Sequence, residues 1–168
     1  NGKIENKLTL THWRFGRDKV SAAITLRASG DLTLNAVIYD TPISDSELVS
    51  ATAVETTRIT LVAGATLSSA DPFAVERGAG NLSMDRYNIV YSQGGDINFA
   101  SGGTTTIQEI ANTLRPRKGQ YMTDNKIGFS LGSYTGNVRG KTGQDLVLDG
   151  SVIQTATGDI DLEVGGDL

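Results

Sequence analysis

Two stretches decide the fold: Gly136-Asn137-Val138-Arg139-Gly140-Lys141-Thr142-Gly143-Gln144-Asp145-Leu146-Val147-Leu148, and Gly158-Asp159-Ile160-Asp161-Leu162-Glu163-Val164-Gly165-Gly166-Asp167-Leu168. Asn137 and Asp159 are 22 residues apart, and so are Asp145 and Asp167, so two strand starts eight residues apart recur together. Each start is a turn-forming small or polar pair followed by an apolar, polar, apolar alternation, the pattern of a short strand with one buried face. Parallel, in-register stacking keeps the same face inside. It therefore predicts strands over 137–140, 145–148, 159–163 and 166–168 in two parallel sheets, with Val138 over Ile160 and Leu146 over Leu168. The same register sets Arg139 against Asp161 and Lys141 against Glu163 on the outer face.

Working outward, the same opening recurs as Gly30-Asp31-Leu32-Thr33-Leu34, Gly80-Asn81-Leu82-Ser83-Met84 and Gly95-Asp96-Ile97-Asn98-Phe99. Further strands are expected at Leu8-Thr9-Leu10, Ala23-Ile24-Thr25-Leu26 and Ile59-Thr60-Leu61-Val62. Arg58 precedes Asn81 by 23 residues, which reads as the same period upstream. A period of this size, built from very short strands and glycine turns, marks a β-solenoid whose coils stack on one another. The competing reading is a β-sandwich with coincidental spacing.

The pattern breaks twice, at about 38–57 and about 104–126. The first break is rich in Asp, Ser and Thr and contains Pro42, so it reads as an extended loop, with a weak helical turn over Asp45–Val54 as the alternative. The second has apolar residues at Ile107, Ile110, Ala111 and Leu114, helical spacing that stops before Pro116, and predicts a short helix over 107–114. It also carries the basic cluster Arg115-Pro116-Arg117-Lys118. The whole chain, 1–168, reads as a single β-helical segment of a longer protein.

Composition narrows the function. Of 168 residues, 38% are hydrophobic and 6% aromatic, with 20 Gly and 3 Pro, which suits thin-cored β-structure rather than a helical bundle. A net charge of -4 provides no basic field for nucleic acid or an anionic membrane. No apolar run approaches the roughly 18 residues of a membrane span, and Asn1 to Lys7 do not form a signal peptide. Zero Cys excludes disulfides, iron–sulfur clusters and thiolate zinc sites, and a single His, His12, excludes a multi-His metal site within one chain.

Three stretches carry a resemblance to a known family: Ile24-Thr25-Leu26-Arg27-Ala28-Ser29-Gly30-Asp31-Leu32-Thr33-Leu34-Asn35, Arg58-Ile59-Thr60-Leu61-Val62-Ala63-Gly64-Ala65-Thr66-Leu67-Ser68-Ser69-Ala70-Asp71-Pro72, and Thr157 to Leu168. The chain resembles the repeat region of filamentous-haemagglutinin-like exoproteins, the adhesins of Gram-negative two-partner secretion. The resemblance implies an all-β fold, a right-handed parallel β-helix with coils of about 22 residues and loop or short-helix insertions. It also implies a secreted or cell-surface location at the outer membrane, export through a partner outer-membrane transporter, and a role in cell adhesion through a host or surface glycan or protein receptor. The two broken stretches match that pattern poorly. A chain threaded unfolded through a pore gains from having no Cys that could cross-link it early, and local coil contacts let folding propagate from one end.

Candidate chemistry is sparse. Asp159, Asp161 and Glu163 alternate with Ile160 and Leu162, so they project from one strand face, with neighbours at i and i+2 about 7 Å apart. That distance overlaps the carboxyl separation of an inverting glycosidase, about 6.5 to 9.5 Å, so a β-helix polysaccharide lyase or glycosidase is one alternative function. Calcium held by these carboxylates, or by Asp145 and Asp149, would make a calcium-dependent carbohydrate-binding module, although the glycine-rich calcium nonapeptide is missing. His12 and Trp13, beside Arg14 and Phe15, form either a capping cluster or an aromatic sugar platform. With one His there is no trio of hydroxyl nucleophile, base and orienting acid. No residue is assigned a catalytic, cofactor-binding or metal-binding role, and no cofactor is expected.

Overall fold

The computed structural model describes residues 2–5, 8–9, 14–15, 20–21, 23–35, 37–40, 57–86, 88–109 and 131–168. It contains no helix among these residues; seventeen strands account for its regular structure. They sort into three five-stranded sheets and one small hairpin. Sheet 1 stacks β1 (Gly2–Glu5), β6 (Leu32–Asn35), β9 (Leu82–Met84), β12 (Thr105–Gln108) and β15 (Leu146–Asp149) in that order. Sheet 2 stacks β2 (Leu8–Thr9), β7 (Val37–Asp40), β10 (Ile89–Ser92), β13 (Leu131–Ser133) and β16 (Ile153–Thr155). Sheet 3 stacks β5 (Ala23–Ala28), β8 (Arg58–Ala63), β11 (Ile97–Ser101), β14 (Val138–Thr142) and β17 (Ile160–Val164). The hairpin joins β3 (Arg14–Phe15) to β4 (Val20–Ser21), antiparallel.

Every pairing within the three sheets is parallel. The chain visits sheets 1, 2 and 3 in turn and returns beside the strand it left, an order compatible with an all-β parallel solenoid and not with a sandwich. Columns of like side chains follow. In sheet 3 one inward column runs Ile24, Ile59, Ile97, Val138, Ile160, and the next runs Leu26, Leu61, Phe99, Gly140, Leu162. Leu34, Met84 and Ile107 from sheet 1, with Ile38, Val90 and Leu131 from sheet 2, meet them in one buried cluster. Strand period 2 produces this: β14 alternates buried Val138, Gly140 and Thr142 with exposed Arg139 and Lys141.

Phe99 dictates one position. A Cβ on Gly140 would lie 2.1 Å from Phe99 Cζ, so the strand beside this ring has to carry glycine there. At the corner between sheets 3 and 1, Gly64 has φ +68°, and a Cβ there would meet the Ala79 carbonyl at 1.9 Å, which fixes glycine by both backbone conformation and space.

The pairing 138–142 with 160–164 has the expected register, Val138 on Ile160, Arg139 beside Asp161 and Lys141 beside Glu163. Other expectations are corrected. Residues 166–168 form no strand: the Gly165-Gly166 corner is followed by a single ladder bond, Leu146 N–H to Asp167 O at 2.9 Å, and Leu168 is 81% exposed. Ile107 and Gln108 belong to strand β12, with Ile107 fully buried between Met84 and Leu148, so a helix does not begin at 107; residues 110–114 lie outside the described residues. The break near 104–126 therefore starts later, since 104–109 belong to the stack, and the break near 38–57 starts after Asp40, since Val37–Asp40 pair in sheet 2. The rest of both breaks, with Pro42, Asp45–Val54 and Arg115–Lys118, falls outside the described residues, as do His12 and Trp13. The 58-to-81 spacing is not a repeat: Ile59 stacks on Ile97 in sheet 3, whereas Leu82 stacks on Thr105 in sheet 1. The intervening 64–81 segment is an inserted loop whose length happens to match.

Candidate functional site

Polar side chains at the corners are organised from one circuit of the chain to the next. At the entry to sheet 1, Asp31 Oδ1 accepts the Asn81 N–H across 50 residues, Asn81 Oδ1 accepts the Thr104 N–H across 23, and Asp145 Oδ1 accepts the Asp167 N–H across 22, all at 2.9 Å. At the entry to sheet 3, Asp96 Oδ1 accepts the Asn137 N–H across 41 residues and Asn137 Oδ1 accepts the Asp159 N–H across 22. The recurring Gly-Asp and Gly-Asn openings are thus rungs: a short carboxylate or amide oxygen reaches a main-chain donor that the turn leaves unpaired. The varied spans show where insertions sit, because the rung is kept while the chain between rungs changes length.

A second ladder lies inside the corner between sheets 2 and 3. Ser133 Oγ donates to Gly95 O at 3.0 Å and accepts the Gly136 N–H at 2.9 Å. Thr155 Oγ1 repeats this with Gly136 O and the Gly158 N–H, and Ser92 Oγ with Thr57 O and the Gly95 N–H. Sequence reasoning missed this ladder; its signal is a Ser or Thr three residues before Gly95, Gly136 and Gly158, the glycines that open strands of sheet 3. A third group of hydroxyls is buried at the start of sheet 1, where Ser101 Oγ lies 2.8 Å from Thr105 Oγ1 and Thr142 Oγ1 donates to Gly103 O. All three polar groups have a structural occupation.

The carboxylates singled out from sequence sit on the outside. Asp161 and Glu163 are exposed on β17, and Asp159 precedes the strand at the corner, its N–H held by Asn137. Glu163 takes Lys141 Nζ on both oxygens, at 2.9 and 3.0 Å, while the register sets Arg139 opposite Asp161. With side chains 51% and 70% exposed, the Lys141–Glu163 pair contributes about 0.2 to 1 kcal/mol and selects register more than it stabilises. Asp145 is a rung, and Asp149 ends β15. Among the described residues no three His, Cys, Asp or Glu side chains are grouped to hold a metal ion.

Above this surface the 64–81 loop folds back on the outer face of sheet 3. Ala65 bridges Val75, Phe73 and Val75 pack on Val62 and Ala100, and Arg27 Nη2 donates to Thr66 O at 2.8 Å. Where the loop ends, a shallow cleft of about 490 Å³ is lined by Arg77, Gly78, Gly143, Gln144, Asp145, Gly165 and Gly166. Its lining includes one carboxylate, Asp145, and one guanidinium, Arg77, where acid–base cleavage of a glycosidic bond calls for two carboxyl groups. Asp159, Asp161 and Glu163 do not line it.

Comparison with protein-family models, curated proteins and solved structures gives no match.

Proposed function

We propose that the chain is a structural and adhesive segment of a secreted, filamentous bacterial surface protein, and that it carries out no catalysis. The observation that supports this most directly is the separation of tasks along the chain. Strands keep their columns across spans of 22 to 50 residues, and the corners absorb the differences. A stack of this kind separates a rigid support from variable surface loops, which is what a displayed rod requires. The finer reading is a right-handed parallel β-helix with a basic coil of about 22 residues and insertions at its corners. Right-handedness is supported by the general preference of parallel crossovers returning to the same sheet. The resemblance of residues 24–35, 58–72 and 157–168 to filamentous-haemagglutinin-like exoproteins supports an outer-membrane, two-partner export route and a glycan or protein receptor.

On this reading binding is weak per segment and gains strength from repetition through effective concentration. The test is incubation of the purified chain with a panel of acidic and neutral polysaccharides, scored for new reducing ends or unsaturated products, alongside binding to the same panel immobilised at high and low density. Retention at high density without turnover is expected. Turnover lost in Asp159→Ala or Asp161→Ala would overturn the reading in favour of a polysaccharide lyase or glycosidase.

A further inference from the structure

We infer that the outer face of sheet 3 carries a site for the carboxylate of an acidic sugar, formed by the Asn98 amide and the Arg139 guanidinium. The inference gives a chemical class to the glycan of the adhesive reading and rests on that reading for its setting.

Two columns face outward on sheet 3. One runs Thr25, Thr60, Asn98, Arg139, Asp161, and the other Arg27, Val62, Ala100, Lys141, Glu163. Both pass from covered to open at the same place. Thr60 and Asn98 are each 5% exposed, and Val62 and Ala100 are fully buried, whereas Arg139 and Lys141 on the next strand are exposed. Over the second column the cover is the 64–81 loop, with Phe73 and Val75 packed on Val62 and Ala100. The outer surface therefore steps down between β11 and β14. Asn98 is the last covered residue of its column, and Arg139 is the first open one.

Neither side chain is used by the fold. Among the described residues the Asn98 amide makes no hydrogen bond, and Arg139 makes neither hydrogen bond nor ion pair, although register sets Asp161 beside it. Asn81 and Asn137, by contrast, are rungs, and Asn88 Nδ2 donates to Leu34 O. Lys141, the matching cation of the other column, gives its ammonium to both oxygens of Glu163. A nearly buried amide without a partner forgoes bonds that folds ordinarily make, so a ligand that supplies them gains what the fold leaves unused.

Neighbouring parallel strands lie about 4.8 Å apart, which lets the amide N–H groups and the guanidinium fork converge on one carboxylate, each donating to its oxygens. A neutral hydroxyl would satisfy the amide and leave the guanidinium without a counter-charge. Asp161 sets a further sign. It lies on the far side of Arg139, so its charge opposes an incoming carboxylate and is indifferent to a neutral sugar.

The test titrates trigalacturonate, and galactotriose as its neutral counterpart, into the whole isotope-labelled chain at low salt and follows the side-chain amide signals by NMR. The Asn98 pair is expected to shift with the acid and to stay in place with the neutral trimer. Arg139→Gln, a change at an exposed position, should weaken binding of the acid about tenfold, and Asp161→Asn should strengthen it about threefold. An Asn98 pair unmoved by millimolar trigalacturonate, an equal shift with galactotriose, or parental affinity in both variants overturns the inference. The two readings fail separately. A chain retained on the immobilised panel whose Asn98 pair never moves loses this inference alone, whereas a specific shift in a chain that the panel does not retain keeps the site and removes the adhesive reading.

Discussion

Asn137 Oδ1 accepts the main-chain N–H of Asp159 at 2.9 Å, and the Asn137 N–H in turn is held by Asp96 Oδ1 at the same distance. One residue is therefore both donor and acceptor in a rung that ties three successive circuits. Asn137→Ala removes the acceptor and leaves the Asp159 N–H to water. It should cost about 0.5 to 1.5 kcal/mol, or about 1 to 6 °C in Tm for a chain of this size. Asn137→Asp keeps the acceptor and should lie close to the parent. A Tm for Asn137→Ala equal to that of Asn137→Asp would remove the rung from the account of stability.

Ser133 makes a sharper case because it is buried. Ser133→Ala removes the buried hydroxyl that donates to Gly95 O and accepts the Gly136 N–H, and should cost about 1 to 3 kcal/mol. Ser133→Thr should be tolerated, since Thr155 makes the equivalent pair of bonds one circuit on. Chemical denaturation of the two variants gives the comparison directly.

Phe99 and Gly140 form a size-matched pair. Gly140→Ala alone forces a methyl into the ring and should cost about 1 to 3 kcal/mol. Phe99→Leu alone leaves space in the core and should cost a comparable amount. Combined, they should destabilise by less than the sum, because the added methyl occupies part of what the ring vacates. Strict additivity in a double-mutant cycle would show that the two side chains do not share that space.

The Lys141–Glu163 pair should show a coupling of about 0.2 to 1 kcal/mol at low salt that fades near 1 M salt. Arg139 and Asp161, set side by side by register, should couple less than Lys141 and Glu163 do. The reverse order in two parallel cycles would mean that register rather than the formed contact sets the coupling.

Most strands of sheets 1 and 3 were legible in the sequence, β1 and β12 excepted, while of sheet 2 only β2, at Leu8-Thr9, was. Strands β6, β9, β11, β14 and β17 begin after Gly-Asp or Gly-Asn pairs, as at Asp31, Asp96 and Asp159, and those pairs are visible because the corner ladder needs a short side-chain oxygen there. Strands β7, β10, β13 and β16 begin after Ala36, Asn88, Ser130 and Val152, without a shared marker, and run for only three or four residues. The 22-residue period was readable between Asn137 and Asp167 because no corner there carries an insertion. Upstream, the 64–81 loop produced a spurious 23-residue match. Ile107 misled in another way: its spacing to Ile110 and Leu114 suits a helix, but its own burial comes from strand alternation, Thr105 and Ile107 facing in and Thr106 and Gln108 partly exposed. Of the candidate carboxylates, their outward position and the Lys141–Glu163 pairing followed from register alone. The Ser and Thr ladder stayed hidden because hydroxyls three residues before a glycine are common in any loop.

Because the hydrogen bonds of all three sheets run along the stack while the strands run across it, the molecule has a mechanical grain. Tension applied along the stack loads the bonds of one strand pair after another instead of shearing many at once. Within the described stack β17 pairs with β14 alone, and Val164 and Leu162 are only partly buried. Peeling a circuit as long as the one from Val138 to Ile160, 22 residues, releases roughly 70 to 80 Å of extended chain. A rod built this way yields in discrete lengths under load and can re-form by local contacts when the load falls, a shock-absorbing response that a sandwich of the same size, sheared as one unit, does not offer.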